Sequence, residues 1–333
     1  MTPLPHVDIG PLLDPASTPA DQAAVGVALD TACRSSGFIL VAGHGIAASL
    51  RADLERHCRA FFALPEDVKA EIAMPRAGAA WRGWFPLGGE LTSGEPDRKE
   101  GIYFGNEHGP THPRVVSRTP LHGANLFPAE PAELRDTVLQ WMVQVADVGQ
   151  ALLRGIALGL GVDAEWFRHH LTADPTVLFR AFHYPPGDTD SWGVGAHTDY
   201  GLLTLLAQDH HGGLQVQSDG VWIDVPADPS LLVVNIGDML DRMTRGRYRS
   251  DPHRVRNLSG ADRVSFPLFL DPSWDARVTP LPDSVFADDQ APPDDAASRW
   301  DSASVHDWDG VYGDYLTAKV ARVFPGLVTA APH

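Results

Sequence analysis

The chain has 333 residues, a formal net charge of −17, 44% hydrophobic and 21% charged residues, which fits a soluble globular protein with a substantial core in one large or two medium domains. The acidic balance argues against nucleic acid or an anionic membrane as partner, since both select a basic face. No run of about 18 uninterrupted apolar residues suggests a membrane span, and the opening Met1-Thr2-Pro3-Leu4-Pro5-His6 lacks the regions of a secretion signal. Cys33 and Cys58 are too few for a disulfide scaffold, so both are expected reduced and structural, and the protein cytoplasmic.

In chain order, residues 6–9 read as a short strand, 19–36 as a helix stopped by Gly37, and Phe38-Ile39-Leu40-Val41 as a buried strand ended by the turn Gly43-His44-Gly45. Residues 47–62 and 65–72 read as helices, the second with Pro65 in its first turn. Residues 75–128, rich in Gly and Pro with isolated aromatics, read as loops and short strands. From 129 to 160, apolar residues at helical spacing (Leu134, Val138, Trp141, Val145, Val148, Leu152) predict one long helix. After about residue 175, short runs rich in Val, Leu and aromatics alternate with Gly, Asp, Asn and Pro at 177–184, 202–207, 213–217, 221–225, 231–236, 253–257 and 263–270. Strands of that length and spacing predict a jelly roll. The acidic, proline-containing piece 287–298 reads as a mobile surface loop, and 312–323 as a closing helix. The expected organisation is an α+β protein: an N-terminal helical and mixed region (1–128), a long supporting helix and connection (129–174), a double-stranded β-helix or cupin-like jelly-roll core (175–275), and a C-terminal loop and helix (276–333).

Chemistry concentrates in that core. His197-Thr198-Asp199 is followed far downstream by His253, then by Arg263-Val264-Ser265. Two imidazoles and one carboxylate in this order are the ligand set of a mononuclear non-haem iron(II) site, with three coordination positions left open. Neither fragment means much alone. His6-Val7-Asp8 repeats the first and Arg34-Ser35-Ser36 the last, with nothing beside them to complete a site. Only the later copies enclose a second histidine inside the predicted jelly roll. Strand side chains two apart share a face, so His197 and Asp199 can aim together from a strand end. Arg263, Ser265 and Phe269 share parity and should face one cavity, where Arg263 and Ser265 suit the distal carboxylate of an iron-bound co-substrate. Val264, Phe266 and Leu268 make the other face apolar as well, as in a strand buried on both sides. Pro267 predicts an irregularity or an edge position.

These residues resemble the isopenicillin N synthase-like family of iron(II)/2-oxoglutarate-dependent oxygenases. The resemblance runs over about residues 4–280, through Gly37-Phe38, Gly43-His44-Gly45, the segment from His197 to Leu206, Gly212 to Val216, Val234 to Asp238 and Tyr248 to Val255. It implies that His197, Asp199 and His253 bind Fe(II), and that Arg263 and Ser265 hold 2-oxoglutarate by its far carboxylate. It implies that Tyr184, two residues after Phe182 where the family often has asparagine, contacts the co-substrate. Dioxygen would be consumed with release of succinate and carbon dioxide, ascorbate serving as the reductant in vitro. Because halogenating relatives lose the carboxylate at the Asp199 position, hydroxylation, desaturation, epoxidation or ring closure is implied instead.

The substrate is expected to be a small secondary metabolite, as in antibiotic biosynthesis, or an amino-acid derivative, acted on by a monomer or a homodimer. Phe269 matches a pocket-lining position of relatives, and the segment 81–104 reaches the active-site mouth in the family. That nominates Trp84, Arg82 and Arg98 as substrate contacts, against their ordinary reading as packed aromatics and solvated charges. The resemblance leaves two variants open: an oxidase of the isopenicillin N synthase type that needs no 2-oxoglutarate, and an ethylene-forming enzyme that breaks 2-oxoglutarate up. A non-catalytic sensor on the same fold is a third reading. His210-His211 and His44 read as turn residues, and Trp192 as a shield for the site or a core residue.

Overall fold

The apolar runs of the second half pair into two facing sheets. In the computed structural model, which describes residues 4–92, 94–187, 190–218, 220–286 and 304–323, the strands are β1 (His6–Asp8), β2 (Phe38–Ala42), β3 (Gly83–Phe85), β4 (Leu91–Thr92), β5 (Glu95–Pro96), β6 (Glu100–Gly105), β7 (Pro175–Tyr184), β8 (Val194–His197), β9 (Leu203–Gln208), β10 (Leu214–Ser218), β11 (Val221–Asp224), β12 (Leu232–Ile236), β13 (His253–Val255) and β14 (Arg263–Ser273). One sheet has the order β1-β2-β12-β9-β14-β7-β6-β3 and the other β11-β10-β13-β8. This is the jelly roll expected from strand spacing, extended at both edges of the large sheet by strands from the N-terminal half. The expected loop at 287–298 lies outside the described residues.

The helices are α1 (Gly10–Leu13), α2 (Pro19–Ser35), α3 (Ala48–Phe62), α4 (Glu66–Lys69), α5 (Pro113–Val116), α6 (Leu134–Gly159), α7 (Trp166–His170), α8 (Asp238–Met243) and α9 (Tyr312–Val323). Thr18 caps α2 in a reciprocal box with Asp21. The long helix starts later than its apolar spacing suggests, at Leu134, after Pro128 and Pro131 have interrupted the helical register. The helix expected over 65–72 is one α-turn followed by the 3₁₀ turn Ala70–Ile72. Among the described residues no helix is long and apolar enough to cross a membrane.

The long helix α6 covers the outer face of the large sheet. A Cβ on Gly149 would come 2.7 Å from Leu270 Cδ2, so helix and sheet touch almost at backbone distance. The outward residues of β14, Val264, Phe266, Leu268 and Leu270, are fully buried beneath it. On its other flank α6 meets α2 through Gly159 and Gly26, where an added Cβ on Gly159 would sit 2.3 Å from the Gly26 carbonyl oxygen. Pro267 is not at an edge: β14 lies between β9 and β7, and Pro267 pairs with Leu206. Its missing N–H falls where the ladder to β7 has a gap, between Ser265 and Leu268. Burial on both faces is thus paired with an inner face free to carry function.

Candidate active site

The strand β8 ends at His197, which pairs directly with His253 at the start of β13. Asp199 lies two residues past the strand end, in the loop, so the expected shared strand face holds only for its beginning. The side chains nevertheless converge. His197 Nε2 and His253 Nε2 lie 3.7 and 3.8 Å from Asp199 Oδ1, and the three ligand atoms are within 4.8 Å of one another. His197 Nδ1 lies 2.8 Å from the Gly195 carbonyl, which fixes the proton there and leaves Nε2 with its lone pair towards the centre. The other oxygen of Asp199, Oδ2, accepts from Thr204 Oγ1 at 2.5 Å and from Asn235 Nδ2 at 2.7 Å. Burial opposes the charge on Asp199, but the neighbouring His253 and His197 and these two donors outweigh it and hold the carboxyl below its ordinary value. His253 is pushed down to about 4, first by burial and then by His197. A charged Asp199 carboxylate beside a His253 imidazole that resists protonation suits a divalent cation.

Two cavities meet at His197 and Asp199, and His253 borders the first of them. The first, of about 500 Å³, is bordered by Arg263, Ser265, Tyr184 and Asn235 beyond the ligands. Arg263 is fully buried. Its Nε donates to the Gly212 carbonyl at 2.5 Å and its guanidinium carbon lies 4.4 Å over the Tyr184 ring. Both terminal nitrogens, Nη1 and Nη2, are buried without a hydrogen-bond partner among the described residues. Leaving a guanidinium edge dry and unpaired is costly, and a carboxylate presented in the cavity would satisfy both nitrogens at once. Tyr184 Oη and Ser265 Oγ, 3.3 Å apart, stand beside it. A diacid that chelates at the His-Asp-His centre through one end therefore fits this cavity by its other end.

The second cavity, of about 720 Å³, shares His197 and Asp199 with the first and is lined in part by Tyr103, Arg180, Phe269 and Asp271, with Leu316 and Val320 of α9. Phe269 borders both cavities. Of the other substrate residues nominated by sequence, none lines either cavity. Arg82 is buried and donates to the carbonyls of Asn106, Gly123 and Leu121. Trp84 points to the opposite face of β3 and donates to Glu100 Oε2 at 2.8 Å. Arg98 turns towards the Pro186 carbonyl at 3.4 Å. The segment does reach the mouth, but through Glu90, Thr92, Lys99 and Tyr103. Strand parity is the reason: in the β3/β6 pair Phe85 and Tyr103 share the cavity side, their rings 5.3 Å apart, which turns Trp84 away. His44 is the turn residue expected, with its ring against the Ser230 carbonyl and the Ile46 N–H. Trp192 stacks against Arg254 and Arg256. Both cysteines are buried and free.

Sequence reasoning missed Asn235 and Thr204, which fix Asp199, and Arg180 and Asp271. The only signal for the first was an amide inside the apolar run Val233-Val234-Asn235-Ile236.

Comparison with known proteins agrees with this geometry. A family profile described as the N-terminal region of non-haem dioxygenase in morphine synthesis matches residues 4–130, and that of the 2OG-Fe(II) oxygenase superfamily matches residues 175–272. The chain belongs to this superfamily and is an oxidoreductase that uses Fe(II), 2-oxoglutarate and dioxygen. It is 42% identical over 349 residues to a Dictyostelium discoideum protein named as a probable iron/ascorbate oxidoreductase, covering 97% of this chain and 95% of that one. It is 35% identical over 334 residues to a homoarginine-6-hydroxylase of Arabidopsis thaliana, covering 98% and 90%. A full-length Neurospora crassa protein, solved in complex with alpha-KG and thymine, superposes with a TM-score of 0.78 at 26% identity over 96% of both chains.

Proposed function

We propose that this oxygenase oxidises a C–H bond of an amino-acid-derived small molecule, by hydroxylation, desaturation or ring closure, while 2-oxoglutarate is converted to succinate and carbon dioxide. His197, Asp199 and His253 would hold the iron, and Arg263, Ser265 and Tyr184 the distal carboxylate of 2-oxoglutarate. The observation that carries the reading is the buried Arg263 guanidinium, unpaired in a cavity that ends on the three-ligand face. Bound iron and 2-oxoglutarate supply the oxidising chemistry when dioxygen is present. The protein's residues orient and exclude. Gly195 and Asn235 fix the ligand side chains, the Gly212 carbonyl aims the Arg263 fork, and Phe182 and Phe269 help to wall water out of the junction. An amino-acid-like substrate is favoured by the mixture of buried charges with apolar walls in the second cavity, and by a relative that is a homoarginine-6-hydroxylase. We place the protein in the cytoplasm as a monomer, its acidic composition favouring a small molecule over nucleic acid as partner.

The test is succinate formation with Fe(II), ascorbate and 2-oxoglutarate, in wild type and Arg263→Lys. Lysine keeps the charge but loses the planar fork. The apparent KM for 2-oxoglutarate is expected to rise about 10- to 100-fold. An unchanged KM would remove Arg263 from the co-substrate site, and succinate-free turnover would replace the reading with a 2-oxoglutarate-independent oxidase.

A further inference from the structure

Two charged side chains in the second cavity are left over once the iron and 2-oxoglutarate ligands are assigned. Arg180 on β7 and Asp271 on β14 are 6% and 2% exposed, and both line it. Arg180 stacks with its guanidinium carbon 3.4 Å from the Tyr103 ring centroid and 5.6 Å from that of Phe269. Its Nη1 donates to the Phe104 and Phe179 carbonyls at 3.3 and 3.2 Å, and the guanidinium also bonds the Tyr103 hydroxyl where it borders the cavity. No carboxylate among the described residues lies within ion-pair distance of it, and Glu90, already paired with Lys99, acts on it only from further away. Asp271 accepts the Tyr312 hydroxyl through Oδ2 at 2.6 Å, and its Oδ1 is buried with no hydrogen-bond partner among the described residues. That oxygen lies over Gly201 in the metal loop, where an added Cβ would come within 1.5 Å of it, so only glycine leaves it room. The other charges of the cavity answer one another: Lys99 pairs with Glu90 at 2.8 Å and also with Asp97.

A buried guanidinium with no carboxylate in ion-pair reach, and a buried carboxyl with one oxygen unsatisfied among the described residues, are expensive to keep. Here both lie on the wall formed by β7 and β14, with Phe269 beside them, close enough for Arg180 to act electrostatically on the Asp271 carboxyl. Arg263 poses the same problem in the first cavity, and the co-substrate's acid answers it. A ligand carrying both signs would answer the pair in the second.

We propose that Arg180 and Asp271 are the specificity-determining pair of this enzyme, taking the carboxylate and the ammonium group of a free α-amino acid while its carbon skeleton packs on Phe269. A fork-shaped donor suits a carboxylate, and the Asp271 carboxyl, giving up its proton as a cation approaches, suits an ammonium group. The pair reads the substrate's head group and leaves the side chain to be presented at the ligand face. This deepens the oxygenase reading and rests on it.

The experiment is calorimetric binding, without dioxygen, to the protein loaded with Fe(II) and 2-oxoglutarate. The probes are the proteinogenic α-amino acids and homoarginine, each beside its N-acetyl and its carboxamide form. At least one free amino acid is expected to bind, and each blocking group to weaken it by about 100-fold. In Asp271→Asn the penalty for N-acetylation is expected to shrink to about 10-fold or less, and in Arg180→Gln the penalty for amidation likewise. Blocked forms binding as tightly as free ones, or no free amino acid binding, would overturn the proposal. Binding of 2-oxoglutarate to the same preparation separates the two levels. If it binds and no amino acid does, the head-group assignment falls and the co-substrate site stands; if it does not bind, the co-substrate site itself is wrong. Variants that no longer bind 2-oxoglutarate are set aside as misfolded, and the wild-type panel then decides.

Discussion

Asp199 shows how one side chain is divided between fold and chemistry. Oδ2 is held by Thr204 and Asn235, and Oδ1 faces the two imidazoles. Removing the support without touching a ligand should loosen the metal: Asn235→Ala is expected to weaken Fe(II) affinity by about 10- to 100-fold, measured by competition with a chelator. Unchanged affinity would show that Thr204 alone suffices. The convergence of His197, Asp199 and His253 was legible because spacing and order are chemical constraints that survive in one dimension. Asn235 and Thr204 were not, because they act from β12 and β9 of the other sheet, in a pairing that sequence does not print. Asp271 carries a separate consequence. Burial pushes its carboxyl up to about 7, with the Asp199 charge adding to that and Tyr312 and Arg180 opposing it. A carboxyl raised in the fold keeps its proton when the unfolded chain, with a value near 3.8, has released it. The native state is then penalised progressively as pH rises from about 4 to about 7. In the metal-free protein, Asp271→Asn is therefore expected to raise Tm by about 3 °C at pH 8 and to leave it unchanged at pH 4. Equal shifts at both values would mean that the carboxyl is not held neutral.

At the scale of elements, β14 does most of the placing. Its inward residues, from Arg263 through Ser265 and Phe269 to Asp271, run from one cavity to the other past the metal ligands, and its outward residues are sealed under α6. The parity of Arg263, Ser265 and Phe269 was readable from alternate positions, since a pleated strand allows no other arrangement. Asp271 is the same series continued by two residues, hidden because the sequence pattern ended the strand at Leu270. Parity also explains the failure at Trp84: a strand was expected nowhere in particular between 75 and 128, so no face could be assigned. Behind the sheet, α6 is held to α2 by the glycine crossing. Gly159→Ala would drive a methyl group into the Gly26 carbonyl, at a cost of about 1–3 kcal/mol. A denaturant midpoint lowered with unchanged slope is the expected reading; no change would mean that the helices can separate freely.

For the molecule as a whole, the arrangement is two cavities sharing His197 and Asp199, each bordered by a buried ionisable side chain with a polar atom unpaired among the described residues. The jelly roll was legible from strand spacing. What joins the N-terminal half to the core was not legible, since β1, β2, β3 and β6 enter the large sheet by long-range pairing. The ligand trio depends on that assembly: Phe38 of β2 packs edge-on to His253 at 5.3 Å, and the Gly37 N–H bonds Asp251 two residues before it. The proposed chemistry therefore turns on one ion binding at one place in the folded chain. Its most direct measurement is an anaerobic titration of the metal-free protein with Fe(II), then with 2-oxoglutarate, followed by visible absorption in wild type, Asp199→Ala and His253→Ala. One iron per chain and a visible band on adding 2-oxoglutarate are expected in wild type, with both lost in either variant. Iron binding and turnover near wild type in either variant would contradict the assignment.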